Sequence, residues 1–234
     1  GVSGPGLPTV AVSISVVIPV LREQARINGL IEQLRSQDSN CEIIVVDGDA
    51  QGSTITTISD QSVITLTAAK GRGSQLAAGA VAATGEIILM LHADTLLPDG
   101  GLRMVADAIA DGAAWGAFRL GIDAPGIMYR VIERMVDLRC TLFSLPYGDQ
   151  AIFVTHASLK QIGGIPPIPL MEDVELTRRL RKADKRFQLL TQQVQTSARR
   201  WQQDGVLQRT LKNWWLLVRY LAGVSPDSLN QEYR

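Results

Sequence analysis

His92 and Asp94 stand two residues apart in "ILMLHADTLLP" (88–98), where an apolar run comes to its end. In an extended chain that spacing projects both side chains from one face. A carboxylate so placed can hold a hard divalent cation, magnesium or manganese, whose other positions are filled by diphosphate oxygens and water. Asp94 serves equally well as a cap for the turn before "LPDGG", with His92 as a hydrogen-bonded histidine at a strand end. A second acidic group, Asp47-Gly48-Asp49 followed by Ser53 and Thr54, closes another apolar run. A carboxylate there can accept hydrogen bonds from a ribose or a base edge, or it can make an ordinary Asp-Gly turn. In "KGRGSQ" (70–75), Lys70 and Arg72 are interleaved with Gly71 and Gly73 ahead of a helical pattern. Backbone N–H groups at a helix start plus a guanidinium suit a phosphate; a solvated basic turn would use the same residues.

The elements that must position these residues follow from hydrophobic period. "SISVVIPV" (13–20) is a β-branched run, and Ile27, Leu30, Ile31 and Leu34 then recur at i, i+3, i+4, i+7, so a strand leads into an amphipathic helix. "CEIIVVDG" and "SVITL" (62–66) predict two more strands, with a helix over 75–83 closed by Gly85. "EIILMLH" is a fourth strand, and Leu102, Val105, Ala106 and Ile109 mark the next helix. Strands apolar on both faces and alternating with helices indicate a mostly parallel α/β sheet flanked by helices on both faces. Ligands of such sheets bind beyond the carboxyl ends of the strands, which puts Pro19, Asp47 and 92–95 along one rim. The second half is less regular: a helix over 127–143, a strand over 150–156, the proline-rich loop "GGIPPIP", a helix over 174–183 and a strand over 187–191.

With 234 residues and 46% hydrophobic content the chain can build one sizeable core, and a single domain over 13–234 is expected after a flexible Gly/Pro-rich leader, 1–12. Residues 13–100 would form a nucleotide half and 101–234 an acceptor half. Lys plus Arg equals Asp plus Glu at 23 each, so no global field draws nucleic acid to the surface, and an anionic ligand must be held locally. Cys41 and Cys140 form no C-x-x-C pair, which fits a reducing compartment. No stretch reaches about 18 apolar residues and no basic-then-hydrophobic start is present, so a cytoplasmic location is expected, with the inner face of the membrane within reach.

Taken in order, "SVVIPVLRE", "IIVVDGDAQGST", "KGRGSQLAAGAVAATGEIILMLHADTLLP", "GDQAIFV" and "PLMEDVELTRRLRK" resemble the successive blocks of glycosyltransferase family 2, especially its small soluble bacterial members. The resemblance runs from Ser13 to Ala183. It implies the A-type nucleotide-sugar transferase (GT-A) fold, an inverting mechanism, a nucleoside-diphosphate sugar donor and a divalent cation, magnesium or manganese. By the same resemblance Pro19, Glu23 and Asp47 match nucleoside-binding positions, and Arg72 a nucleotide or diphosphate contact. Asp94 matches the last acid of the metal-binding D-x-D. Glu172-Asp173 matches the E-D pair, whose aspartate is the usual general base. Acids at that place also favour a helix N-terminus.

Two departures from the family pattern matter. His92 stands where most relatives have the first aspartate of D-x-D; an imidazole can ligate a metal but brings no negative charge, so Asp94 is the firmer ligand. Ser197-Ala198-Arg199-Arg200-Trp201 stands where processive synthases carry Q-x-x-R-W, which argues for non-processive transfer. Arg200 and Trp201 still suit an acceptor platform, an indole face for a sugar and a guanidinium for a phosphate. The sequence does not name the acceptor; a lipid-linked or a small molecule is expected. Other classes remain open at this level, a nucleotide-sugar-binding pseudoenzyme or a nucleotidyltransferase. Along "LKNWWLLVRYLAG", Trp214, Leu217, Val218 and Leu221 share one helical face, suited to core or homodimer packing or to a peripheral membrane contact.

Overall fold

The computed structural model describes residues 12–198, 215–220 and 222–233. Only Val12 of the expected leader falls within them. The first half runs β1 (Ile14–Val20), α1 (Gln24–Gln37), β2 (Glu42–Asp47), β3 (Ile64–Thr67), α2 (Arg72–Ala82), β4 (Ile87–Met90), a short β5 (Thr95–Leu96) and α3 (Gly101–Ala110). The second runs β6 (Trp115–Asp123), α4 (Ile127–Phe143), β7 (Phe153–Thr155), α5 (His156–Gln161), α6 (Glu172–Lys182), β8 (Phe187–Ser197), a helical stretch at 215–220 and α7 (Pro226–Tyr233).

Both halves enter one eight-stranded sheet in the order β3-β2-β1-β4-β7-β6-β8-β5. β3, β2, β1 and β4 are mutually parallel, as are β6 and β8, whereas β7 runs antiparallel to both its neighbours and β5 to β8. The central strand explains the two layers. Along β1, Val16, Ile18 and Val20 turn to one face and meet Ile27, Leu30, Ile31 and Leu34 of α1 and Leu102 and Val105 of α3. Val17 turns to the other and meets Leu76 and Ala80 of α2 and Leu176 and Leu180 of α6. Each fully buried leucine or isoleucine contributes about 2 kcal/mol, so the four on α1 suffice to fix that helix to the sheet.

Several bounds differ from the sequence reading, for local reasons. β6 was not anticipated: "WGAFRLGID" mixes glycines and an arginine into its apolar positions, so no clean period appears. β8 runs past residue 191 to Ser197 because β6 and β5 pair with it along that length. β7 begins only at Phe153, since Gly148–Gln150 form a 3-10 turn and Ala151 takes a left-handed φ of 47°. α2 starts at Arg72 rather than Gln75, and α6 at Glu172 rather than Val174, so the basic and acidic motifs become helix N-termini. On the 215–220 stretch Leu216 and Leu217 are buried while Trp215 and Val218 are exposed. The expected face pairing Leu217 with Val218 is therefore split, because Leu216 packs with Leu170 and Leu229; Trp214 and Leu221 lie outside the described residues.

Candidate active site

Beyond the carboxyl ends of β1 and β2 lies a hollow of about 260 Å³ lined by Leu21, Arg22, Gly48, Asp49, Ala50 and Lys70. Its shape depends on the 48–55 loop. Asp47, fully buried at the end of β2, accepts the Asp49 N–H on Oδ1 at 2.9 Å and the Thr54 and Ile55 N–H groups on Oδ2 at 2.8 and 3.3 Å. Glu23 donates its backbone N–H to Thr54 Oγ1 at 3.1 Å, and its carboxylate pairs with Arg26 at 3.1 Å. A direct nucleoside contact by the Asp47 carboxylate does not match this geometry: the group is turned into the loop it braces. Asp49 is the acid that lines the hollow, held below the usual carboxylate range by the Gln51 N–H, with Arg22 acting in the same direction. Pro19 is buried within β1 opposite Val46. Arg22 holds a left-handed φ of 58°, a conformation that costs a non-glycine residue on the order of 1 kcal/mol and tends to occur where a side chain must be aimed.

Gln75 is a positioning residue the sequence reading passed over. Its side-chain NH₂ donates to Val20 O at 2.7 Å and Val46 O at 2.8 Å, tying the ends of β1 and β2 beneath the hollow. Only a helix that starts before residue 75 brings this amide to the rim, so period alone gave no hint of it.

After β4 the chain does not stay extended. Thr95 N–H donates to His92 O at 3.1 Å, closing a turn over 92–95, so His92 and Asp94 no longer share a strand face. Asp94 is half-buried, and its position is fixed from β8: Ser197 N–H donates to Asp94 O at 3.1 Å, and Thr95 pairs with Thr196. His92 is buried and turned into a crevice that also receives Leu76, Gly148, Ile165, Glu172 and Asp173. A Cβ at Gly148 would lie 3.0 Å from His92 Nε2 and 3.5 Å from Asp173 Oδ2, so the glycine marks where imidazole, main chain and carboxylate crowd together.

Asp173 is held by two backbone donors, Gly148 N–H on Oδ2 at 2.7 Å and Val174 N–H on Oδ1 at 2.8 Å. Each oxygen keeps a second lone pair for another donor. Glu172 is 1% exposed, and its Oε1 lies 3.0 Å from Arg72 Nε. Its Oε2 is buried without a hydrogen-bond partner among the described residues. Burial pushes the Glu172 carboxyl above its ordinary range and Asp173 adds to the shift, while Arg72 opposes it. The preceding Met171 takes a left-handed φ of 64° to deliver both acids at the first turn of α6. Gly73 lets the two helix starts approach: a Cβ there would sit 2.3 Å from Ile168 O.

The structure thus brings Arg72, His92, Glu172 and Asp173 together and links them to the hollow through 70–72, since Lys70 lines one space and Arg72 the ion pair of the other. Gly148 belongs with them, and its place in "GDQ" was visible in sequence but its role was not. Among the described residues no three His, Cys, Asp or Glu side chains converge as a preformed metal cage. Asp94 still fits a hard cation that takes its other ligands from diphosphate and water, whereas His92 faces Gly148 and Asp173 and is a poor candidate for the same ion. Arg200 and Trp201, the expected acceptor platform, lie outside the described residues.

The family model described as glycosyl transferase family 2 matches residues 15–159. No curated protein matches the chain. Among solved structures, S. aureus TarS 1-349 is 17% identical over 80% of this chain and 60% of its own, with a TM-score of 0.61. The mannosyltransferase PcManGT from Pyrobaculum calidifontis, in complex with GDP-Man and Mn2+, is 16% identical over 81% of this chain and 57% of its own, at 0.65. Glucosyl-3-phosphoglycerate synthase from Mycobacterium tuberculosis, with Mn2+, UDP and phosphoglyceric acid, is 17% identical over 79% and 70%, at 0.57. At such identities the likeness shows the fold, the GT-A fold of these transferases. The chain spans about three-fifths of the length of TarS 1-349.

Proposed function

The chain belongs to glycosyl transferase family 2, and on that premise we propose that it transfers a sugar from a nucleoside-diphosphate sugar to an acceptor hydroxyl, with inversion and one sugar at a time. The observation that carries this reading is the adjacency of two spaces at one sheet rim: a hollow carrying Arg22 and Lys70, and a crevice carrying Asp173, joined through the Arg72–Glu172 pair.

In this reading the hollow receives the nucleoside end of the donor, with its floor set by the loop that Asp47 braces. Arg22 and Lys70 offset the charge of the diphosphate locally, as the neutral overall balance of the chain requires. Asp173 accepts the acceptor hydroxyl proton. The freed oxygen forms its bond to the anomeric carbon as the bond from that carbon to the diphosphate breaks, so the leaving group departs from the opposite face. The two amide donors on Asp173 fix its direction before the acceptor arrives, so little reorganisation is left for the reacting step. A divalent cation on Asp94 would neutralise charge on the departing diphosphate; PcManGT and the mycobacterial synthase, both holding Mn2+, support that choice of ion.

The test is a thermal-shift panel of nucleoside diphosphates and their sugars, with and without manganese. A ligand that binds only the folded state raises its melting temperature by mass action. At least one nucleotide is expected to stabilise the protein, more strongly with manganese. A panel with no stabilising nucleotide would remove the donor assignment.

A further inference from the structure

α4 carries two apolar arcs, and among the described residues only one of them has a partner. Its inner arc is anchored: Ile132 packs with Leu120 and Ile122 of β6, and Cys140 is fully buried. Arg139 stacks over the Tyr147 ring at 3.5 Å and donates to Leu145 O at 2.9 Å. The outer arc carries Met128, Val131, Met135, Leu138, Leu142 and Phe143, each between 41% and 63% exposed. Arg130, Arg134 and Asp137 occupy the side of the helix between the two arcs, so the outer arc is an amphipathic stripe, about 25 Å long over the 17 residues. So much contiguous exposed apolar surface marks an interaction site.

Charge decides the occupant. The exposed charges on this helix are Arg130 and Arg134; Arg130 is already held by Glu133 and by the Ile122 and Ala124 carbonyls, at 2.7 and 3.2 Å, so Arg134 is the charge that no acid among the described residues offsets. The helix's two acids are used inward: Glu133 is buried, accepting the Ile122 N–H on Oε1 at 2.7 Å and pairing with Arg130 at 2.9 Å, and Asp137 faces Arg119 at 3.6 Å. A symmetric pairing with a second copy, parallel or antiparallel about the helix midpoint near Met135, would bring Arg134 close to its own copy with no exposed acid to offset it. An anionic bilayer surface satisfies both the apolar stripe and the Arg134 guanidinium.

We propose that the outer arc of α4 docks the protein on an anionic lipid surface, with the stripe entering the headgroup–acyl boundary and Arg134, at its flank, pairing with a lipid phosphate. The surface lies beside the chemistry. The inner arc holds the 145–150 segment through Arg139, and Gly148 of that segment holds Asp173, so a docked α4 brings the base near the interface.

The experiment is co-sedimentation of the protein with phosphatidylcholine vesicles containing or lacking phosphatidylglycerol, alongside its solution mass by light scattering. It needs neither donor nor acceptor, so its outcome is separate from that of the transferase reading. The protein is expected to bind the phosphatidylglycerol vesicles and to bind pure phosphatidylcholine less. Leu138→Glu should weaken binding at least about tenfold, and Arg134→Glu on the order of tenfold with a smaller salt dependence. Both positions are exposed, and unchanged melting temperatures would show the variants folded. If a variant unfolds, Leu138→Gln and Arg134→Gln read the same two contributions. Failure to bind anionic vesicles, or equal binding by folded variants, would overturn the proposal. So would a dimer that Leu138→Glu converts to monomer, which would give this face to a second copy.

Discussion

Arg72 Nε lies 3.0 Å from Glu172 Oε1, so one ion pair holds the first residue of α2 against the first residue of α6. Because Glu172 is buried and Arg72 about one-third exposed, the pair is worth most as a constraint on where the two helix starts sit.

Arg72→Ala removes the one neighbouring charge among the described residues that lowers the Glu172 side-chain pKa, and leaves a buried carboxylate. The variant should lose on the order of 2 kcal/mol at neutral pH. The loss should shrink as pH falls, because a carboxyl whose folded-state pKa is raised takes up a proton and no longer needs a counter-charge. Adding Glu172→Gln should recover part of the stability. Urea denaturation of the three variants at two pH values reads all of this.

Asp94→Ala should abolish the metal-dependent part of nucleoside diphosphate binding while leaving the metal-independent part. A carboxylate and a diphosphate otherwise face each other as like charges, so the cation is what makes Asp94 attractive to the donor. Titration calorimetry with and without manganese checks it; undiminished metal dependence would move the ion elsewhere.

His92→Ala and Gly148→Ala separate two roles for the imidazole. With the ring packed against Gly148 and near Asp173, both substitutions should lower turnover by disturbing the base, and His92→Ala should leave the metal titration close to that of the parent. A Cβ at Gly148 forces His92 to give by a few tenths of an ångström, so an intermediate effect, about tenfold, is expected.

How far these residues could be read in advance varied with the range of the interaction. β1 and α1 were legible because burial on one face imposes a period, and Ile27, Leu30, Ile31 and Leu34 are the residues that meet the sheet. Glu172 and Asp173 were legible as a pair of types at a motif position. Their geometry was not, because the Arg72 and Gly148 contacts join residues 100 and 25 positions away. Asp47 was legible as a strand-end acid, but whether such a carboxylate faces ligand or loop depends on the path of 49–55, which no period encodes. The turn at 92–95 likewise overrode the two-residue spacing that had placed His92 beside Asp94.

Glu175 supplies a pH-dependent stability contribution away from the chemistry. Arg178, then Arg179 and Tyr220, hold its carboxyl down to about 2 from an ordinary 4.5. A depressed carboxyl contributes stability that is complete above the unfolded-state value and lost as pH falls through the folded-state value. Glu175→Gln should therefore be less stable than the parent by about 1 kcal/mol at neutral pH, since two of the partners are solvent-exposed or partly so. The difference should close between about pH 4.5 and 2. Melting curves across that range measure it.

In the proposed function Asp173 activates an acceptor against a bound nucleotide sugar. The most direct measurement of that step is the release of nucleoside diphosphate from the stabilising donor, with water or an added hydroxyl acceptor, by the parent protein, Asp173→Asn and Glu172→Gln, with donor binding measured in each. Asp173→Asn is expected to bind donor as the parent does and to turn over slower by on the order of a hundredfold or more, with Glu172→Gln less affected. Parent-like turnover by Asp173→Asn together with an inactive Glu172→Gln would contradict this assignment and move the base to Glu172.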